Sequence, residues 1–359
     1  MKKLLTIILS SVILLLSAGC GNGQIPDPEP EGSVLVVGTT VWVTTVLPGT
    51  VEGLITDAEV DMESMETLRV SGFIDKRDFV FANDSKVASI DFSGSRVMAY
   101  EDYPADAIPS KAFYFNMNLE LFKWPVGITS IGNESFNFCV YAGFGQTGNI
   151  IIPEGVIEIG EYAFMHNVSE GSLVLPSTLK TLADGAFWNC RIGSRLILPQ
   201  GLETIGYAAF YFCKNLTGPL ELPSTLTSLG SSAFWGTGIN GHITFPESLE
   251  TLPNTLFHVC PITSVTFHEK IRSIGVSAFY GTALSGDVVI PASVESIGWG
   301  AFFDTNLSGF YVKWSDPIEY TNDMLENGIT VYVPQGRKSE YEVAEGWKEH
   351  PIAEYTELP

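Results

Sequence analysis

The stretch Leu196-Ile197-Leu198-Pro199-Gln200-Gly201-Leu202-Glu203-Thr204-Ile205-Gly206-Tyr207-Ala208-Ala209-Phe210 decides the fold, because it recurs. Phe187, Phe210, Phe234, Phe257, Phe279 and Phe302 close successive copies, and Phe113, Phe136 and Phe164 hold the same place upstream. The intervals from Phe113 to Phe302 are 23, 28, 23, 23, 24, 23, 22 and 23 residues. A period of roughly 20–29 residues marks a chain wound into stacked coils. One unit makes one coil and cannot bury its own apolar face, whereas stacked neighbours bury a continuous core.

Working outward, the repeat reads φ-x-φ-Pro-x-x-φ-x-x-Ile-Gly-x-x-Ala-Phe-x-x-Cys, where φ is apolar. Pro125, Pro153, Pro176, Pro199, Pro223, Pro246 and Pro291 share one place, and His268 fills it once. Proline lacks a backbone donor and ends the strand before it. The Ile-Gly that follows suits a bend, and the Ala-Phe segment suits one helical turn on the outer side. Within φ-x-φ, side chains alternate between core and solvent. The x position and the residue before the first φ therefore point out. They include Lys123, Asn149, Ser172, Arg195, Glu221, His242, Thr244, Thr266 and Asp287, which form the candidate ligand-binding set. Their mixed polarity suits a polar, wet interface.

Cys139, Cys190, Cys213 and Cys260 each lie three residues after a repeat Phe, a place held elsewhere by Asn116, Asn167, Thr237, Thr282 and Thr305. A disulfide framework or a four-thiolate metal site would not place every cysteine at one phase of the repeat. Free, buried thiols are expected. Directly after each Phe stands a second column: Tyr114, Asn137, Met165, Trp188, Tyr211, Trp235, His258, Tyr280 and Phe303. It reads as packing between coils, or alternatively as an aromatic ladder for sugar or peptide. The one long repeat holds Gly143-Phe144-Gly145-Gln146-Thr147-Gly148, a G-x-G-x-x-G match. A dinucleotide fingerprint needs a strand before it and a helix opening at it. Here the strand Ile150-Ile151-Ile152 follows, so the segment is read as an inserted surface loop.

The two ends differ from the middle. Lys2 and Lys3, an apolar run from Leu4 to Leu16, and Ser17-Ala18-Gly19-Cys20 form a secretory leader over residues 1–19. The small residues before Cys20 resemble a bacterial lipoprotein signal, which implies lipidation at Cys20. Residues 20–32, with Pro26, Pro28 and Pro30 between Asp27, Glu29 and Glu31, read as an extended acidic tether. Residues 33–100 read as an amino-terminal cap. It would hold a strand over 33–46, a short helix over 50–64, and two degenerate coils at Leu68–Gly72 and Ile90–Gly94. The repeats proper span 101–335. A carboxy-terminal cap over 336–359 places Tyr341, Ala344 and Trp347 on one side of a short helix. Solenoids need such ends, because a first or last coil would otherwise expose core.

The chain has 359 residues, 19 Lys and Arg against 41 Asp and Glu, and a net charge of −22. Scarce, unclustered cations argue against nucleic acid as a partner. His166, His242, His258, His268 and His350 sit in no H-E-x-x-H arrangement, and there is no G-x-S-x-G elbow or P-loop. No enzyme, cofactor or metal is expected.

The run φ-x-φ-Pro-x-x-φ-x-x-Ile-Gly-x-x-Ala-Phe-x-x-Cys resembles the BspA-type leucine-rich repeats of bacterial surface proteins. Val70–Phe79 and Ile90–Gly94 resemble the amino-terminal caps of Bacteroides-like members. The resemblance implies a right-handed leucine-rich repeat solenoid, mostly β, with a parallel sheet, short helical turns and capped ends. It further implies a non-catalytic, adhesin-like lipoprotein, lipid-anchored at the outer membrane and displayed at the cell surface. Its partner would be an extracellular or host protein. The alternatives are a glycan-binding accessory of polysaccharide uptake and a structural spacer. The membrane would be met through the lipid anchor only.

Overall fold

The computed structural model describes residues 32–139, 148–321 and 323–359. The leader, Cys20, the tether up to residue 31 and the inserted segment 140–147 lie outside them.

The amino-terminal cap begins with a hairpin of β1 (Gly32–Val37) and β2 (Thr40–Thr45). The stretch expected as one strand is thus two antiparallel ones, turning at Gly38, whose φ is 62°. Helix α1 (Val51–Asp57) is shorter than its apolar spacing suggested. Strands β3 (Thr67–Ile74) and β4 (Ser89–Val97) are the two degenerate coils and pair in parallel. Between them α2 (Lys76–Asp84) starts at a capping box, in which Asp75 accepts from the Arg77 amide and Asp78 from the Asp75 amide.

From there the chain is a parallel β-solenoid of about 13 turns in all, with little helix. Each regular coil has three sides. The first carries φ-x-φ. Leu196 and Leu198 are buried while Ile197 between them is exposed, as alternation requires. The proline then opens a β-turn, as where the Leu202 amide donates to the Pro199 carbonyl at 3.0 Å.

The second side was expected to be a bend. It is instead a second parallel ladder of two-residue strands, running through Ser130–Ile131, Glu158–Ile159, Thr181–Leu182, Thr204–Ile205 and Ser228–Leu229. The glycine that follows most of these strands, such as Gly132, Gly160, Gly206 and Gly230, serves close stacking. A Cβ on Gly230 would lie 2.3 Å from the Gly206 carbonyl carbon, inside contact distance.

The third side carries Ala-Phe. It is no helical turn but three overlapping β-turns. In one coil Ala163, Met165 and Asn167 donate to the carbonyls of Gly160, Tyr162 and Phe164. The residues two before and two after each Phe adopt left-handed backbone: Tyr162 and His166 have φ of 53° and 58°, Ala208 and Phe212 of 52° and 57°. This alternation turns every second peptide along the solenoid axis. The amides of Tyr162, Phe164 and His166 then donate to Asp184, Ala186 and Trp188 of the next coil at 2.8–2.9 Å. A left-handed non-glycine residue costs roughly 1–2 kcal/mol. The inter-coil ladder and the burial of the Phe offset that cost.

The core is the Phe column. All nine rings are fully buried, and neighbours from Phe113 to Phe302 lie 5.1–6.2 Å apart between centroids. The cysteine column lies beside it. The thiols of Cys139, Cys190, Cys213 and Cys260 donate to the carbonyls of Phe113, Phe164, Phe187 and Phe234, one coil earlier. All four are free and buried. Burial pushes the Cys139 thiol up to about 12 and the Cys260 thiol up to about 11. They are protonated at neutral pH and therefore poor nucleophiles. At the far end α3 (Lys338–Val343) and the turn Trp347–Glu349 bury Tyr341 and Trp347. A further strand, Ile352–Tyr355, closes the sheet.

Candidate binding face

The strand side of the coils presents one row of outward side chains along the molecule. In the cap the register aligns Trp42, Arg69, Asp91 and Lys123. The same phase then passes through Ile151, Val174, Ile197, Glu221, Thr244, Thr266, Val289, Tyr311 and Tyr332. A second outward row, one residue before the first φ, holds Asn149, Ser172, Arg195, His242 and Asp287.

All nine residues expected on this face lie in these two rows. Neighbouring coils bring several together. Arg195 places Nη2 2.7 Å from Glu221 Oε1 and donates from Nε to the Pro219 carbonyl. His242 lies between Ser264 and Thr266, with Nδ1 2.8 Å from the Ser264 hydroxyl and Nε2 3.2 Å from the Thr266 hydroxyl. Asn149 accepts from the Ser172 amide, and Lys123 donates to Asp91 at 2.9 Å. Asp287 and Thr266 line a cavity of about 320 Å³ with Lys313 between the strands Ile262–Thr266 and Ser285–Ile290. Thr244 pairs only with Thr266 in the ladder. The nine do not converge on one point. Exposed ion pairs such as Arg195–Glu221 contribute roughly 0–1 kcal/mol to stability, so their charges remain available to a ligand.

The face is less uniformly polar than its nine polar members implied. Ile151, Val174 and Ile197 stand side by side in the x place and are 50%, 47% and 69% exposed. They form an aliphatic strip with charge beside it. Aromatics stand at both ends: Trp42 at one, and at the other Tyr311 and Tyr332, stacked with centroids 4.3 Å apart. The signal for all of these was in the sequence, in the same phase as Lys123 and Glu221. Selecting for polar residues passed over them.

On the turn side, Trp188, Tyr211, Trp235, His258, Tyr280 and Phe303 form a continuous stack with centroids 4.2–5.9 Å apart. All are half-buried. Each ring is paired with a neighbour in the next coil, which is packing between coils and leaves their edges to solvent.

Among the described residues no group of three or more His, Cys, Asp or Glu side chains could hold a metal ion, and no helix is long and apolar enough to cross a membrane.

Comparison with known proteins agrees with this architecture. The profile of the BspA type leucine rich repeat region matches residues 106–218, 140–240 and 219–321, in six copies. A leucine-rich repeat protein from Bacteroides ovatus superposes with a TM-score of 0.55 at 22% identity, over 71% of this chain and 67% of that one. That likeness supports the solenoid fold. A leucine rich cell surface protein from Faecalibacterium prausnitzii gives a TM-score of 0.39 at 14% identity over 90% of this chain and 86% of that one. No curated protein matches the sequence. With the profile covering more than half of its length, the chain belongs to the BspA-type leucine-rich repeat family.

Proposed function

We propose that the chain is a non-catalytic, adhesin-like binding protein of the cell surface, whose strand face engages an extracellular or host protein. The observation that carries this reading is the exposed aliphatic strip Ile151–Val174–Ile197 beside Arg195, Glu221 and His242. An apolar centre with a polar, charged rim is the anatomy of a protein interface. The family is one of leucine-rich repeat surface proteins, which supports a repeat-based binding role. Attachment through a lipid on Cys20, in the outer membrane, completes the reading. It is checked by detergent-phase partition, which a Cys20→Ala change should abolish.

The experiment on function screens the full chain against extracellular-matrix proteins and a glycan array. A protein partner whose binding falls at least tenfold in the Arg195→Glu, His242→Glu double variant supports the reading. Glycan capture that survives this change and is lost in Trp188→Ala or Trp235→Ala would replace it with the uptake-accessory reading. Capture of nothing would leave a structural spacer.

A further inference from the structure

The outward row begins in a depression of the amino-terminal cap, where the cap meets the first repeat strand at Lys123. Strand β4 carries one extra residue there: Arg69 lies opposite Asp91, but Ser71 lies opposite Gly94. Such a bulge re-aims side chains and interrupts the sheet surface. The surface sinks further because Gly94 has no side chain. A cavity of about 380 Å³ results, lined by Trp42, Thr44, Arg69, Ser71, Asp91, Ser93 and Lys123 among others. That is the size range of small-molecule sites, roughly 300–1,000 Å³, and too small to be a protein interface.

The lining has unspent hydrogen-bonding capacity. Asp91 is 8% exposed and its oxygens are occupied: it accepts from Lys123 Nζ at 2.9 Å, from the Ser93 hydroxyl at 2.6 Å and from the Ser93 amide at 3.1 Å. The Arg69 guanidinium lies over the Trp42 ring at 4.3 Å, and its Nε stands 3.8 Å from Asp91, beyond hydrogen-bond length. That Nε is buried and has no hydrogen-bond partner. A buried donor left unpaired costs roughly 1–3 kcal/mol. The Arg69 side chain, 39% exposed and without a hydrogen bond of its own among the described residues, keeps its guanidinium open to an acceptor from the cavity. Arg69 and Lys123 together outnumber the one carboxylate, in a chain whose net charge is −22. The acceptor that fits is therefore an anion, and the planar guanidinium suits a carboxylate. Around it stand three hydroxyls, Thr44, Ser71 and Ser93, with Thr44 and Ser71 3.2 Å apart. The Trp42 indole, 43% exposed, forms the rim. Hydroxyls beside an apolar ring edge complement a sugar, whose rim is polyol and whose faces are apolar.

We propose that this cavity is a binding site for a carboxylated sugar, a hexuronate unit free or within an acidic polysaccharide. The carboxylate meets Arg69 and Lys123, and the ring hydroxyls meet Thr44, Ser71 and Ser93. The site shares Lys123 with the nine residues of the proposed protein-binding face but rests on Arg69, Ser71 and Ser93, which lie outside that set, so the Arg69→Met and Ser71→Ala tests read the cavity separately from the repeat face.

Titration calorimetry of the full chain tests it with D-glucuronate, a digalacturonate, D-glucose and acetate as probes. The expected result is one saturable site for a uronate. It binds at least tenfold more tightly than glucose or acetate, and at least tenfold less tightly in Arg69→Met. The digalacturonate separates the sources: binding tighter than the monomer assigns a polymer, equal binding a free sugar. Ser71→Ala, a change too small to endanger the fold, should weaken binding severalfold with the melting temperature unchanged. Acetate binding as tightly as the uronates, glucose binding equally well, no saturable heat, or an Arg69→Met protein that binds like wild type would each overturn the proposal. Should Arg69→Met fail to fold, Lys123→Met, at a half-exposed side chain, carries the same comparison.

Discussion

Phe210 is fully buried, its ring 5.5 Å from Phe187 and 5.8 Å from Phe234. A coil clamped on both sides collapses poorly into a void, so Phe210→Ala should cost about 3–5 kcal/mol. Chemical denaturation measures it, and a midpoint equal to wild type would place the ring outside the core. Val259 tests the turn side instead. It is a β-branched residue held at φ 53°, where Gly236 and Gly281 occupy the same place one coil to either side at 67° and 64°. It is 45% exposed, so little packing is lost on replacement. Asparagine adopts this conformation at lower cost than valine. Val259→Asn should therefore stabilise the protein by about 0.5–1 kcal/mol, read as a rise in the denaturation midpoint. The cysteines show how a residue pattern alone can exclude chemistry. Their shared phase gave free, buried thiols, and the structure adds the reason for the phase: each thiol donates to the Phe carbonyl of the coil before.

At the scale of elements, the turn ladder aligns three peptides per coil, with carbonyls toward the amino-terminal end and amides toward the carboxy-terminal end. It finishes as a helix start would. The Phe302 amide donates to the Met324 carbonyl, and the Asp304 amide faces the Glu326 carboxylate at 3.3 Å. The cap beyond it is built on Tyr341, Trp347 and His350, with the Tyr320 hydroxyl 2.7 Å from His350 Nε2. Burial holds the His350 imidazole below its ordinary value of 6.5. The folded state then favours the neutral ring, so the unfolded chain binds the extra proton first as pH falls. Stability contributed by this group is complete above about pH 6.5 and declines below it, by at most about 1.4 kcal/mol per pH unit. Comparing wild type with His350→Gln between about pH 5 and 7 checks the sign: the variant should show the shallower decline. How legible these elements were depended on length and phase. The φ-x-φ strands, the proline stops and the burial of Tyr341 and Trp347 followed from spacing. The two-residue strands at Ile-Gly did not, because two residues are too few to show alternation. The left-handed turns did not either, since Glu134, Tyr162 and Thr255 carry no preference for positive φ. Only inter-coil hydrogen bonding selects it.

For the whole molecule, stacking turns a one-dimensional repeat into long rows, and the outward strand row is where the chain spends side chains it does not need for its core. Its charged and hydroxyl members were legible from the repeat. Ile151, Val174 and Ile197 were passed over because aliphatic residues inside a strand read as core until the phase is applied to them. Arg69 and Asp91 were passed over because the early coils lack the proline that marks the phase. This row is the proposed binding face. Amide hydrogen exchange of the full chain, with and without a captured extracellular protein, tests it most directly. Slowed exchange is expected at intervals of one coil, on peptides holding residues 149–151, 172–174, 195–197 and 242–244. Protection on the turn-side peptides holding Trp188, Tyr211 and Trp235, with the strand peptides unchanged, would contradict it.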